Sequence, residues 1–308
     1  MNSRWWLRAT KISFGFSSAL LLAVGLLAPL ARAADAEFRR TEDVIYGRKF
    51  GTALTFDVFQ PAKSNGCAVL WMVSGGFFSS HEMIDVNFYR PFLNRGYTVF
   101  AIVHGSQPRY IISECAQDIH RAVRFIRHHA ADYGVDPNKF GISGGSAGGH
   151  LSLTLGTQGG AGAAEAKDPV DRESSAVRAV ACLFPPTDVL NYGSNGVDAV
   201  GVGLLAGFKP AFGPRADTAE SRQIYGREIS PINFVTSNLP PTLIIHGDAD
   251  KLVPYQQSEI FVQRAKAAGA KVVKLINKPG KDHGWPDMVK DVETLAGWFD
   301  EHLRGLKP

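Results

Sequence analysis

Residues 140–151 read Phe-Gly-Ile-Ser-Gly-Gly-Ser-Ala-Gly-Gly-His-Leu, and within them Gly144-Gly145-Ser146-Ala147-Gly148 forms a G-x-S-x-G pattern. A short apolar run at 140–142 has strand character, and helical periodicity begins at 147. The pattern puts a serine at the tip of a tight strand-to-helix turn, with glycines leaving both flanks uncrowded and the hydroxyl lifted above the sheet edge. A pattern this short arises by chance roughly once in several chains of this length. The strand before it and the helix after it are the context that gives it meaning.

A nucleophilic serine needs a base and an orienting acid, and in this kind of turn they follow in the order serine, acid, histidine. His283 lies in Lys281-Asp282-His283-Gly284-Trp285, in a loop after the last apolar strand. Asp250 lies in His246-Gly247-Asp248-Ala249-Asp250, just past a strand at 242–245. Both leave the C-terminal ends of strands, where open α/β sheets place their sites. His283 is expected to take the serine proton and Asp250 to fix its tautomer. Asp248 is the competing acid, with turn shaping as its plain role. The developing oxyanion needs backbone N–H donors. Ala147, at the positive end of its helix, is one. Gly76 and Phe77, in the loop Ser74-Gly75-Gly76-Phe77-Phe78 after strand 68–73, are the others.

Working outward, short β-branched runs alternate with helical stretches. Alternating residues at 44–46 and 53–59 predict an antiparallel hairpin. Strands are expected at 68–73, 97–103, 140–142, 177–183, 242–245 and 272–276. Helices are expected near 83–94, 114–133, 147–155, 255–268 and 288–306. The alternation implies an α/β fold whose mostly parallel central sheet carries helices on both faces. Residues 156–166 and 191–222 break the rhythm with Gly, Ala and Pro, which makes 157–225 a candidate lid or insertion.

The 308 residues, 45% hydrophobic and 20% charged, have the composition of a globular protein able to bury a full core. Arg4, Arg8 and Lys11, the apolar run 19–30 and Ala31-Arg32-Ala33 read as a bacterial-type signal peptide over 1–33. The expected product is an exported periplasmic or secreted catalytic domain at 34–308. The net charge of +4 is carried by that segment, whose four cations face no acid, so the remainder is neutral. Neither a nucleic-acid partner nor, after cleavage, a membrane partner is expected. Cys67, Cys115 and Cys182 read as small buried hydrophobes, and no spacing suggests a metal.

Together these residues resemble the α/β-hydrolase superfamily. The blocks 144–151 (GGSAGGHL), 240–254 (PPTLIIHGDADKLVP) and 282–285 (DHGW) carry the resemblance. More narrowly, the chain resembles secreted carboxylesterases of the acetyl-xylan/feruloyl (bifunctional deacetylase/feruloyl) esterase type, near the hormone-sensitive-lipase and prolyl-oligopeptidase branches. The segments 57–61 (DVFQP) and 133–137 (YGVDP) fit that style. The resemblance implies an α/β-hydrolase fold and a serine esterase acting without cofactor or metal through Ser146, His283 and Asp250. Its substrates would be small-molecule or oligosaccharide esters, acetyl or feruloyl groups on plant polysaccharides among them. It places the acid three residues before Val253-Pro254, which is Asp250. Two departures stand out: Ser74-Gly75-Gly76-Phe77 where such esterases carry His-Gly-Gly-Gly, and His104-Gly105-Ser106 where many carry Tyr-Arg.

Phe78, His104 and Trp285 are candidate substrate contacts, as is His81 from its loop. Adjacent His128 and His129 point about 100° apart on a helix, which argues against one shared ion. Arg121, Arg124 and Arg127 read as an exposed helix side. The alternatives to an esterase are a prolyl-oligopeptidase-type peptidase and a catalytically silent binding protein of the same fold.

Overall fold

The computed structural model describes residues 37–307, so the proposed export signal at 1–33 lies outside the described residues. Eight strands form one sheet: β1 Phe38–Lys49, β2 Thr52–Pro61, β3 Ala68–Val73, β4 Thr98–Val103, β5 Phe140–Ser143, β6 Ala179–Leu183, β7 Thr242–Gly247 and β8 Val273–Lys278. Their order is β1-β2-β4-β3-β5-β6-β7-β8. β1 and β2 pair antiparallel, β2 runs antiparallel to β4, and all other neighbours are parallel. The α-helices are α1 Arg90–Leu93, α2 Ile112–His128, α3 Ala147–Gln158, α4 Lys209–Phe212, α5 Ala219–Ile229, α6 Gln256–Ala267 and α7 Val289–Arg304. No described helix is long and apolar enough to cross a membrane.

Every residue of β3 is buried, as parallel strands covered on both faces require. Its side chains divide by the pleat. Ala68, Leu70 and Met72 join the core under α2, α3 and α6, whereas Val69, Trp71 and Val73 join the core under α1 and α7. The stripe Cys115, Ile119, Ala122 and Ile126 seats α2 on the first of these cores. All three cysteines are buried free thiols.

Several boundaries differ from expectation for local reasons. The β1–β2 hairpin is longer than 44–46 and 53–59, because Phe50 and Gly51 both take positive φ and close a tight turn. The helix expected near 83–94 is instead two 3₁₀ turns followed by the short α1, since the Asp85 side chain caps Asn87 N–H and starts a new turn. The helix expected over 114–133 begins at Ile112 and stops at His128, and a 3₁₀ turn continues to Tyr133.

Arg121, Arg124 and Arg127 are not an exposed helix side. Arg121 pairs with Asp168 and Asp171, Arg124 donates to the Glu173 carbonyl, and Arg127 donates to the Ser174 carbonyl. They clamp residues 168–176 against α2. Within 157–225, that first part lies on α2, whereas Leu205, Phe208 and Phe212 of the second part reach Ser146's cavity.

Candidate active site

Ser146 sits between β5 and α3 with φ 55° and ψ −120°, a conformation that L residues hold only when their surroundings enforce it. Two contacts enforce it here. Ser146 N–H donates to the Leu183 carbonyl at 3.0 Å. A Cβ on Gly148 would meet the Met72 carbonyl oxygen at 2.7 Å, so only glycine lets α3 start this close to β3.

The serine, histidine and aspartate singled out from sequence come together. His283 Nδ1 donates to Asp250 Oδ2 at 2.7 Å, which leaves Nε2 to accept from Ser146 Oγ–H at 2.9 Å. Phe184 packs edge-on to the His283 ring, centroids 4.7 Å apart. Asp282, at the start of the same loop, accepts from Lys251 N–H and His283 N–H and so ties the two loops together. Burial alone would raise the Asp250 pKa. Hydrogen bonds from His246, His283 and the Val253 N–H outweigh it and hold the carboxyl well below its ordinary range. Asp248 is exposed, accepting from Asn277 and the Gly280 N–H, and shapes the β8 loop.

The loop after β3 turns over two residues. Gly75 N–H donates to the Phe78 carbonyl at 3.0 Å and Phe78 N–H returns to Gly75 at 2.9 Å, with Gly76 and Phe77 between them at φ 55° and 63°. Among the described residues, neither the Gly76 nor the Phe77 N–H donates within the protein. Ala147 is the first residue of α3, so its N–H has no intrahelical acceptor. These three amides and Ser146 line one cavity of about 260 Å³. Apart from His150 and His283, its remaining wall is apolar, including Ile112, Val189, Leu205, Phe208, Phe212 and Leu252. A Cβ on Gly76 would come within 2.4 Å of the Phe208 ring, so the roof rests on the turn itself. A second cavity of about 240 Å³ opens on the other side of Ser146, lined by Trp71, Asp85, Phe88, Tyr89 and Phe184 among others.

The three candidate substrate contacts lie elsewhere. His104 is 2% exposed, accepts from Ser74 Oγ–H and donates to the Gly105 carbonyl, so it buttresses the turn from behind. Burial lowers its pKa to about 4. Trp285 is buried against Phe184 and donates to Asp291. Phe78 is 48% exposed and lines neither cavity. Loop position alone predicts neighbourhood, not direction. His81 pairs with Arg40 beside Asp57, away from both cavities.

Sequence reasoning missed three contributors. Gln107 donates from its side chain to the Gly76 carbonyl and from its backbone to the Phe77 carbonyl, setting the turn from outside, and no sequence signal marks it. The roof residues Leu205, Phe208 and Phe212 fall within the candidate lid 157–225, but a stretch without periodicity does not single them out. His246, fully buried on β7, reaches Asp250 Oδ2 at 3.2 Å, and its place four residues before the acid was the available signal.

The BD-FAE family profile matches residues 56–265. The chain is 28% identical over 258 residues to the esterase LipQ of Mycobacterium tuberculosis, covering 80% of this chain and 57% of that one. The chain spans about half the length of the curated relatives it matches. Among solved structures, a truncated carbohydrate esterase from gut microbiota superposes with TM-score 0.73 at 28% identity, over 88% of this chain and 99% of that one. The butyrate-bound thermophilic esterase Est2 of Thermogutta terrifontis superposes with TM-score 0.67 at 25% identity, over 89% and 96%. With a mostly parallel eight-stranded sheet, a serine at its strand-to-helix turn and a profile match across well over half its length, this chain belongs to the BD-FAE family and has the α/β-hydrolase fold.

Proposed function

We propose that this protein is an exported serine esterase that hydrolyses carboxylic esters through an acyl-enzyme on Ser146. The observation that carries the reading is the line of hydrogen bonds from Ser146 through His283 to Asp250, 2.9 and 2.7 Å, beside a cavity with unengaged amides. His283 Nε2 takes the Ser146 proton as Oγ attacks the ester carbonyl. The amides of Gly76, Phe77 and Ala147 receive the oxyanion. The tetrahedral intermediate then expels the alcohol, which takes its proton from His283, and water releases the acyl group by the reverse route. Names of relatives and structural neighbours support ester chemistry, and no step calls for a metal or an organic cofactor.

Two cavities beside Ser146 support a narrower substrate class. The apolar chamber suits a compact hydrocarbon moiety, and the Thermogutta esterase has been solved with butyrate bound. The opposite cleft offers aromatic faces and Asp85 to a polar moiety such as a saccharide. Acyl groups on oligosaccharides, acetyl or feruloyl on plant polysaccharides among them, are therefore the proposed class. The test is a panel of acetylated and feruloylated oligosaccharides, p-nitrophenyl esters of graded chain length and peptide anilides, given to residues 34–308. Acylated saccharides and short aryl esters should be hydrolysed and anilides spared. Anilide cleavage at rates matching the esters would overturn the esterase reading in favour of a peptidase.

A further inference from the structure

Asp250 serves two histidines. Its Oδ1 accepts from the backbone N–H groups of Leu252 and Val253 at 2.9 and 2.8 Å. Its Oδ2 faces His283 Nδ1 at 2.7 Å and His246 Nε2 at 3.2 Å. His246 Nε2 also faces the Val253 carbonyl at 2.9 Å, so with two acceptors before it this nitrogen carries a proton. The ring's other nitrogen, Nδ1, meets Ser258 Oγ on α6 at 2.6 Å. His246, Ser258 and the Asp250 side chain are all fully buried, so water cannot replace any partner that is lost. The hydrolytic steps described above use only Ser146, His283, Asp250 and the amides, and leave His246 without a task.

We propose that His246 is a positioning residue for the hydrolytic site, acting through Asp250 on His283. Its Nε2–H holds Oδ2 in the rotamer that faces His283 and takes up part of the charge on that oxygen. Ser258 holds the His246 ring in place by closing Nδ1. Without this donor, Oδ2 turns more freely and its charge falls more heavily on His283, so the imidazolium persists to higher pH and gives its proton to the leaving alcohol less readily. The remaining titratable groups nearby are turned elsewhere. Asp282 and Lys251 pair at the surface, and Asp248 faces Asn277 and Gly280. The Tyr192 hydroxyl donates to the Leu252 carbonyl, and the Tyr255 ring packs against His246.

The inference rests on the triad proposed above, so Ser146→Ala is measured alongside. Retained turnover in that variant would refute the triad, whereas the comparison of His246 variants addresses His246 alone. The experiment follows kcat, KM and the pH profile of kcat/KM with p-nitrophenyl acetate for wild type, His246→Phe and His246→Gln, with thermal unfolding as the check on folding. Expected for His246→Phe are a kcat lower by about 10- to 100-fold, the value of one hydrogen bond to a charged group, and KM within about twofold of wild type. The acid limb should move up by about 0.5 to 1 pH unit. His246→Gln, which keeps an N–H donor, should recover most of both effects. A folded His246→Phe protein with unchanged kcat and acid limb overturns the proposal. So does a loss equal in both variants with the limb unmoved, the mark of a merely structural side chain. Should His246→Phe fail to fold, Ser258→Ala decides, since a smaller shift of the limb in the same direction supports the proposal and an unchanged profile overturns it.

Discussion

At Asp250 the choice between two nearby acids is made by direction. Asp250 turns inward to His283 and accepts backbone N–H groups, while Asp248 turns outward to the β8 loop. Changing Asp250 to Asn should therefore lower kcat by about 10⁴-fold, because the amide leaves the imidazole in the wrong tautomer. Asp248→Asn should alter kcat less than about twofold, and the two are separated by steady-state turnover of one aryl ester. Gly76 is constrained twice, by φ 55° and by the Phe208 ring above it. Gly76→Ala should displace the turn that carries the amides proposed to receive the oxyanion, and removing one such donor costs about 10²- to 10³-fold in kcat. The check is kcat in a variant whose circular dichroism matches wild type.

The elements divide into those whose chemistry is local and those whose place is fixed from far away. The strand-turn-helix around Ser146 was legible because glycines at 144, 145 and 148, an apolar strand before and a helix after are all local signals. Asp250 and His283 were legible because loops at the C-terminal ends of parallel strands converge. Of the roof only the region was legible, as a break in the periodicity: residues 203–212 form a 3₁₀ turn and the four-residue α4, and Phe208 is placed by packing on Gly76 rather than by any repeat. His104 and Trp285 sit on loops near Ser146, yet their side chains turn to Ser74 and Asp291, a direction that only tertiary contacts determine. If the roof sets the size of the chamber, Phe208→Ala should raise the kcat/KM ratio for octanoyl over butyryl p-nitrophenyl esters by about tenfold, the scale of pocket selectivity for a methylene or two. An unchanged ratio would place the hydrocarbon moiety on the other side of Ser146.

Across the whole molecule, burial lowers the pKa values of three histidines, His104, His120 and His150, to about 4 from the ordinary 6.5. The unfolded chain protonates these rings near 6.5 and the folded one only near 4. Their contribution to stability is therefore complete above 6.5, falls as the pH drops from 6.5 to 4, and levels off below. Urea unfolding followed by circular dichroism should show a midpoint that holds above pH 7 and declines across that window. His120→Gln, outside both cavities beside Ser146, should make the decline shallower. Every step proposed for this chain begins with Ser146 as the nucleophile of an ester-hydrolysing triad. The direct measurement is turnover of p-nitrophenyl acetate by purified residues 34–308 beside the same protein carrying Ser146→Ala. Ready hydrolysis is expected of the first and a rate at least about a thousandfold lower of the second. Equal rates in the two proteins would contradict that role of Ser146.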